Sequence, residues 1–202
     1  MSKGEQTRAA IVAQSLDVAS VVGLNALSIG TLAEHTGMSK SGLFAHFGSK
    51  EALQLAVLDA AEARFVDMVV RPASKAPRGI ARIRELFERG FAWEKSWAGK
   101  GGCVFNASAA EFDDQPGAVR ERLVRAQRDW RDTLIRVARG AVQTGEFRAD
   151  LDCEQFAYEM KAINLAYIHS SRLMRDPSAE AHARAAFERL IENSRAKPQD
   201  PQ

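Results

Sequence analysis

The side chains best suited to chemistry in this 202-residue sequence crowd into one stretch, HTGMSKSGLFAHFGSKEAL, residues 35–53. Ser39, Lys40, Ser41 and Gly42 stand together and are followed by Phe44, His46 and Lys50. Small residues let a backbone come close to another surface, and serine hydroxyls at a helix N-terminus hydrogen-bond to phosphates or base edges. Lysine adds a compact charge for a phosphate. The combination suits recognition of a polyanion rather than bond making. Elsewhere catalysis finds no footing. His35, His46, His169 and His182 are scattered, no serine or cysteine sits in a nucleophile motif, and no phosphate loop or paired-carboxylate signature stands out. The acidic run EFDD, 111–114, reads as a solvated helix end. Cys103 and Cys153 lie far apart with neither CxxC nor Cys/His spacing, so no disulfide, zinc site or other metal is expected, and no catalytic residue or cofactor.

Such a stretch needs rigid elements to hold it. The formal charge of +2 decides nothing, because a phosphate-facing surface can be local and escape the total. With 46% hydrophobic residues the chain can bury a sizeable core. Apolar residues recur at helical spacing almost throughout, and no alternating β-branched run is bounded by turns, so the fold class is all-α. Helices are expected over about 5–22, from Ser28 to Gly37, from Ser39 onward, and over 49–70, each serine acting as a cap. RPASKAPRG, 71–79, reads as a linker. Further helices are expected over about 80–98, 103–113, 116–144, 153–174 and 178–194, with GKGG (99–102) as a turn and Pro116 starting the 116–144 helix. The tail RAKPQDPQ is expected to be disordered. There is no secretory h-region, and no window approaches 18 uninterrupted apolar residues, so a soluble, cytoplasmic protein with no membrane partner is expected.

Two short helices joined by TGMS and braced by longer ones match a helix-turn-helix, whose second helix presents its N-terminal side chains to the DNA major groove. Leu43 and Phe47 would pack inward and fix its angle. ALSIGTLAEHTGMSKSGLFAHFGSKEAL is similar, position for position, to the helix-turn-helix signature of TetR-family transcriptional regulators, over about residues 8–58. The resemblance implies a nine-helix homodimer. Residues 1–50 would form the DNA-binding domain, helix 49–70 the connection, and 51–202 the ligand-binding and dimerisation domain. It makes double-stranded operator DNA the partner, with Ser28, Thr31, Ser39, Lys40, Ser41, Gly42, Phe44, His46 and Lys50 as its contacts. The family pattern usually has tyrosine where this chain has Phe44, and often a larger polar or basic residue at Ala45. The tyrosine hydroxyl commonly meets a phosphate, a contact this chain lacks, which leaves His46 and Lys50 as phosphate partners.

Aromatic and soft residues are dense from 87 to 174. Trp93, Phe105, Trp130 and Tyr167 are the candidates for lining an effector cavity, with Asn106, Asn164 and His169 as further orienting groups. The last two helices carry Phe156, Met160, Ile163 and Tyr167, then Ala183, Ala186, Phe187, Leu190 and Ile191. They either fold onto the chain's own core or, as the resemblance favours, build an interface with a second copy. The function expected is a repressor released from a palindromic operator by a small apolar or amphipathic effector. Two alternatives remain: a redox-responsive regulator acting through Cys103 at a helix N-terminus, where thiolate is favoured, and a helical enzyme.

Overall fold

A computed structural model of the protein describes residues 2–97 and 101–197. Among them the helical periodicity becomes nine helices. These are α1 (Lys3–Val22), α2 (Ile29–Thr36), α3 (Lys40–Phe47), α4 (Lys50–Phe65), α5 (Ile80–Lys95), α6 (Val104–Phe112), α7 (Ala118–Gln143), α8 (Cys153–Ile168) and α9 (Ala179–Ser194). No strand occurs among the described residues; Phe147 and Arg195 form an isolated bridge. No helix there is long and apolar enough to cross a membrane.

The starts and stops follow from local chemistry. Ser2 and Glu5 make a reciprocal capping box that opens α1 two residues earlier than its apolar pattern suggests. Ser28, Ser39 and Ser49 each accept the backbone N–H of the residue three positions on, satisfying one orphan donor of α2, α3 and α4. The linker expected at 71–79 is shorter than read. α4 runs on through a π-turn, Val66–Val70, into one more helical turn, Arg71–Ala73. Pro72 breaks nothing because it stands in the first turn after the π-turn, where its missing N–H had no partner to lose. Pro116 does not start a helix either, since α7 begins at Ala118, after Gly117. Gly99 and Lys100 of the expected turn lie outside the described residues, as do 198–202 of the tail. Ala196, at the start of that tail, is tied down by its N–H, which donates to the Glu146 carbonyl at 3.0 Å.

By packing, the chain forms two units. The first comprises Met1–Met68 with Trp93–Gln127, the second Val69–Ala92 with Arg128–Gln202. In the first, Leu24, Leu27, Leu32, Leu43, Leu53, Val57 and Leu58 are fully buried and hold α1 to α4 around one core. Each such side chain contributes about 1.5–3 kcal/mol by leaving water. In the second, the rings of Phe87 and Phe187 stack at 3.8 Å and Phe91 meets Tyr167 at 4.4 Å. Arg84–Glu188 and Arg184–Glu88 ion pairs rim that contact.

Candidate nucleic-acid interface

The turn between α2 and α3 is set by Gly37, whose φ of +68° is a left-handed conformation that residues with a Cβ adopt at a cost. Thr36 Oγ1 accepts the Met38 N–H at 3.3 Å and donates to the Leu32 carbonyl at 2.8 Å, stiffening the same turn. α3 then buries Leu43 and Phe47. Ser39, Lys40, Ser41 and Phe44 remain exposed on its outer side, and Gly42 and His46 are half-buried. A Cβ on Gly42 would come within 3.1 Å of Ser39 Oγ, the atom that caps the helix, so a small residue is needed there.

The first turn of α2 contributes to the same surface. Ser28 Oγ accepts the Thr31 N–H at 3.0 Å and lies 2.9 Å from Thr31 Oγ1. Lys40 of α3 folds back toward it: its Nζ lies 3.9 Å from where a Cβ on Gly30 would stand. Ser28, Thr31 and Lys40, read from separate segments, thus come together with Ser39 and Ser41. Two helix N-termini with hydroxyls and an ammonium group have the chemistry to accept an anion. Lys50, at the start of α4, donates from Nζ to the Asn25 carbonyl at 2.5 Å. Asn25 in turn donates its N–H to Glu111 Oε2 at 2.8 Å. Glu111 is therefore not a freely solvated helix end. It fastens the end of α6 to the turn that feeds α2.

Phe44 is 57% exposed and so is not part of the core. Phe44→Tyr should leave the melting temperature unchanged, because the added hydroxyl enters solvent. Operator affinity should rise by about 0.5–1.5 kcal/mol, the net worth of one neutral hydrogen bond. The gain should be equal on cognate and scrambled DNA and leave the salt dependence unaltered, since a phosphate contact carries neither sequence information nor added charge. Affinities on both DNAs at two salt concentrations check this.

The four effector candidates divide between the packing units. Trp93 and Phe105 are buried in the first; Tyr167 is buried and Trp130 half-buried in the second. Trp93 belongs to a cluster that sequence reasoning did not assemble. Its ring meets Phe65 at 5.3 Å and Trp97 at 5.2 Å, both edge-on. Arg64 lies over both indoles, and Asn106 Nδ2 donates to Glu94 Oε1 at 3.5 Å. The signal was present in WEKSW, whose i,i+4 tryptophans share a helix face. Cys103 does stand at the N-terminus of α6, yet burial, followed by the charge of Glu94, pushes its thiol up to about 11. The Trp93 indole N–H and nearby backbone amides favour the thiolate less than burial disfavours it. Cys103 therefore packs as a small apolar group, which removes the support for a redox switch at this position.

Residues 11–57 match the family described as bacterial regulatory proteins, tetR family, and residues 79–187 match the tetracyclin repressor-like C-terminal domain. No curated protein matches the sequence. A TetR transcriptional regulator from Chloroflexus aurantiacus is 25% identical over 95% of this chain and 96% of its own, with a TM-score of 0.83. One from Cytophaga hutchinsonii is 24% identical over 98% of each chain, with a TM-score of 0.82. AibR, solved in complex with isovaleryl coenzyme A and operator DNA, is 19% identical over 87% of this chain and 95% of its own, with a TM-score of 0.67. The helix-turn-helix described above, with both family domains matched along one chain, makes the protein a member of the TetR family of DNA-binding transcriptional regulators.

Proposed function

We propose that the chain is a repressor that holds a palindromic operator as a homodimer and releases it when a small apolar or amphipathic effector binds. Residues 1–50 read the DNA, and 51–202 bind the effector and the second copy. The observation that carries this reading is the convergence of Ser28, Thr31, Ser39, Lys40 and Ser41 on one surface, with Phe44 exposed on the same helix. Lys40→Ala and Lys50→Ala should each weaken operator binding and lower the slope of log affinity against log salt by about 1, the signature of one lost phosphate contact. Lys50 also holds Asn25, so its loss should raise dissociation from cognate DNA more than the slope alone predicts. If both variants bound like wild type at two salt concentrations, the surface would be wrongly assigned.

The path for release runs through α6. Its first turn adjoins the Trp93 cluster, and its last turn carries Glu111, bonded to Asn25 and through Asn25 to Lys50. A ligand that prefers a shifted α6 would move the start of α2 and the Lys50 ammonium, and so mismatch the half-sites. That AibR has been solved with an acyl-CoA thioester and operator DNA supports an effector alongside DNA in this fold. Dimerisation is supported by the apolar side chains left in solvent on α8 and the turn after it, Tyr158, Leu165, Leu173 and Met174.

A further inference from the structure

Between α1 and α4 runs a groove of about 670 Å³, the size of a small-molecule site. Its walls are apolar and mostly short: Ala9, Val12 and Leu16 from α1, Ala52, Leu55 and Ala56 from α4. Four charged residues also line it, Arg8, Asp17, Asp59 and Arg64. Asp59 is occupied, accepting from Arg122 Nε at 2.8 Å. Neither arginine pairs with a carboxylate among the described residues. Each instead lies over an aromatic ring, Arg8 over Phe47 at 5.1 Å, and Arg64 over Trp97 at 4.6 Å and Trp93 at 5.8 Å. A guanidinium held over an aromatic ring by the cation–π attraction keeps N–H groups that can grip a carboxylate with two parallel bonds. Beside Arg64, the buried indole N–H of Trp97 has no acceptor among the described residues.

We propose that this groove is a binding site for an amphipathic carboxylate. Its aliphatic chain lies along the alanine and leucine walls, and its head group sits on Arg64. Arg64 is the head-group residue because it is half-buried while Arg8 is exposed, and a partly desolvated charge pair is screened less by water and salt. Asp59 and Glu62 share the Arg122 guanidinium, while Arg8 and Arg64 have no carboxylate partner among the described residues, so an anion is favoured over a cation at Arg64. None of the residues proposed as effector contacts lines the groove; Trp93 lies under Arg64, its ring 5.8 Å from the guanidinium.

Decanoate is the probe, titrated into the DNA-free protein and followed by tryptophan fluorescence and calorimetry, so the outcome does not depend on the operator reading. Saturable binding is expected, with a fluorescence change as Arg64 shifts on Trp97. Decan-1-ol should bind about tenfold more weakly, having no charge for the fork, and acetate should not saturate. Arg64→Gln should bring decanoate to the level of decan-1-ol, and Arg64→Lys should restore part of the difference. Ala13→Phe, at an exposed position of the groove wall, should block both chains while keeping the wild-type melting temperature. Absence of saturable decanoate binding would overturn the proposal. So would binding that Arg64→Gln and Ala13→Phe leave intact, since the chain would then sit in another cavity.

Discussion

Leu165→Asp should give a folded monomer that no longer holds its operator. Leu165 is 44% exposed and shares a face of α8 with Tyr158, 70% exposed, seven residues before it; Leu173, 73% exposed, continues the patch eight residues on. In an isolated chain a carboxylate at such a position meets water, so folding stability should change by no more than about 0.5 kcal/mol. In a two-fold symmetric dimer every substitution enters the interface twice. Each unpaired carboxylate buried there costs several kcal/mol, and about 1.4 kcal/mol is a factor of ten, so dimer dissociation should rise by at least about 10³. A monomer reaches one half-site and loses the avidity of the pair, lowering operator affinity by about 10²–10⁴. Sedimentation equilibrium, a thermal melt and a gel shift separate the steps. A variant that remained dimeric at wild-type concentrations would place the interface away from this face.

The face of α8 that carries Leu165 is one the sequence did not single out. Phe156, Met160, Tyr167, Ala183, Phe187, Leu190 and Ile191 are apolar, but the structure buries them within their own unit. α8 carries apolar residues around much of its circumference, so periodicity alone cannot say which side meets the core. The helix-turn-helix was legible because its determinants are local. Ser28, Ser39 and Ser49 cap the helices that follow them, and Gly37 and Gly48 end those that precede. Lys40 reaching back to α2, and Glu111 catching an N–H 86 residues away, were not legible, since no spacing rule relates such positions. Cys103 shows the same divide. Its place at a helix N-terminus could be read, while the burial that overrides the helix dipole is a property of tertiary packing. The linker was over-read because proline is a breaker only where its N–H is needed, and the π-turn before Pro72 removes that need.

Gly101→Ala should be the most destabilising single methyl group in this set of glycines, and a comparison of three positions isolates the reason. Gly101 has φ +96°, and a Cβ built there falls 1.9 Å from the Ser20 carbonyl oxygen and 2.7 Å from the Val21 nitrogen, both backbone atoms of α1. Gly102 donates its N–H to that same oxygen at 3.1 Å, so the segment leading into α6 lies directly against the end of α1. An alanine bears the strain of a left-handed backbone, about 1–3 kcal/mol, and a clash that a helix backbone cannot yield to, another 1–3 kcal/mol. Gly23, φ +90°, would place its Cβ 1.9 Å from Glu111 Oε1, the end of a side chain that can swing aside at the cost of its hydrogen bond to Asn25. Gly117, φ +138°, faces open space and bears strain alone. The melting temperatures should fall in the order Gly117→Ala least, Gly23→Ala next and Gly101→Ala most, the last by about 10 °C at roughly 2–4 °C per kcal/mol for a chain of this size. Gly23→Ala should also weaken operator binding beyond its stability loss, because it frees the Asn25 turn that holds Lys50. If Gly101→Ala melted no lower than Gly117→Ala, the segment before α6 would not be seated on α1, and the route from α6 to the DNA-binding surface would rest on Glu111 alone.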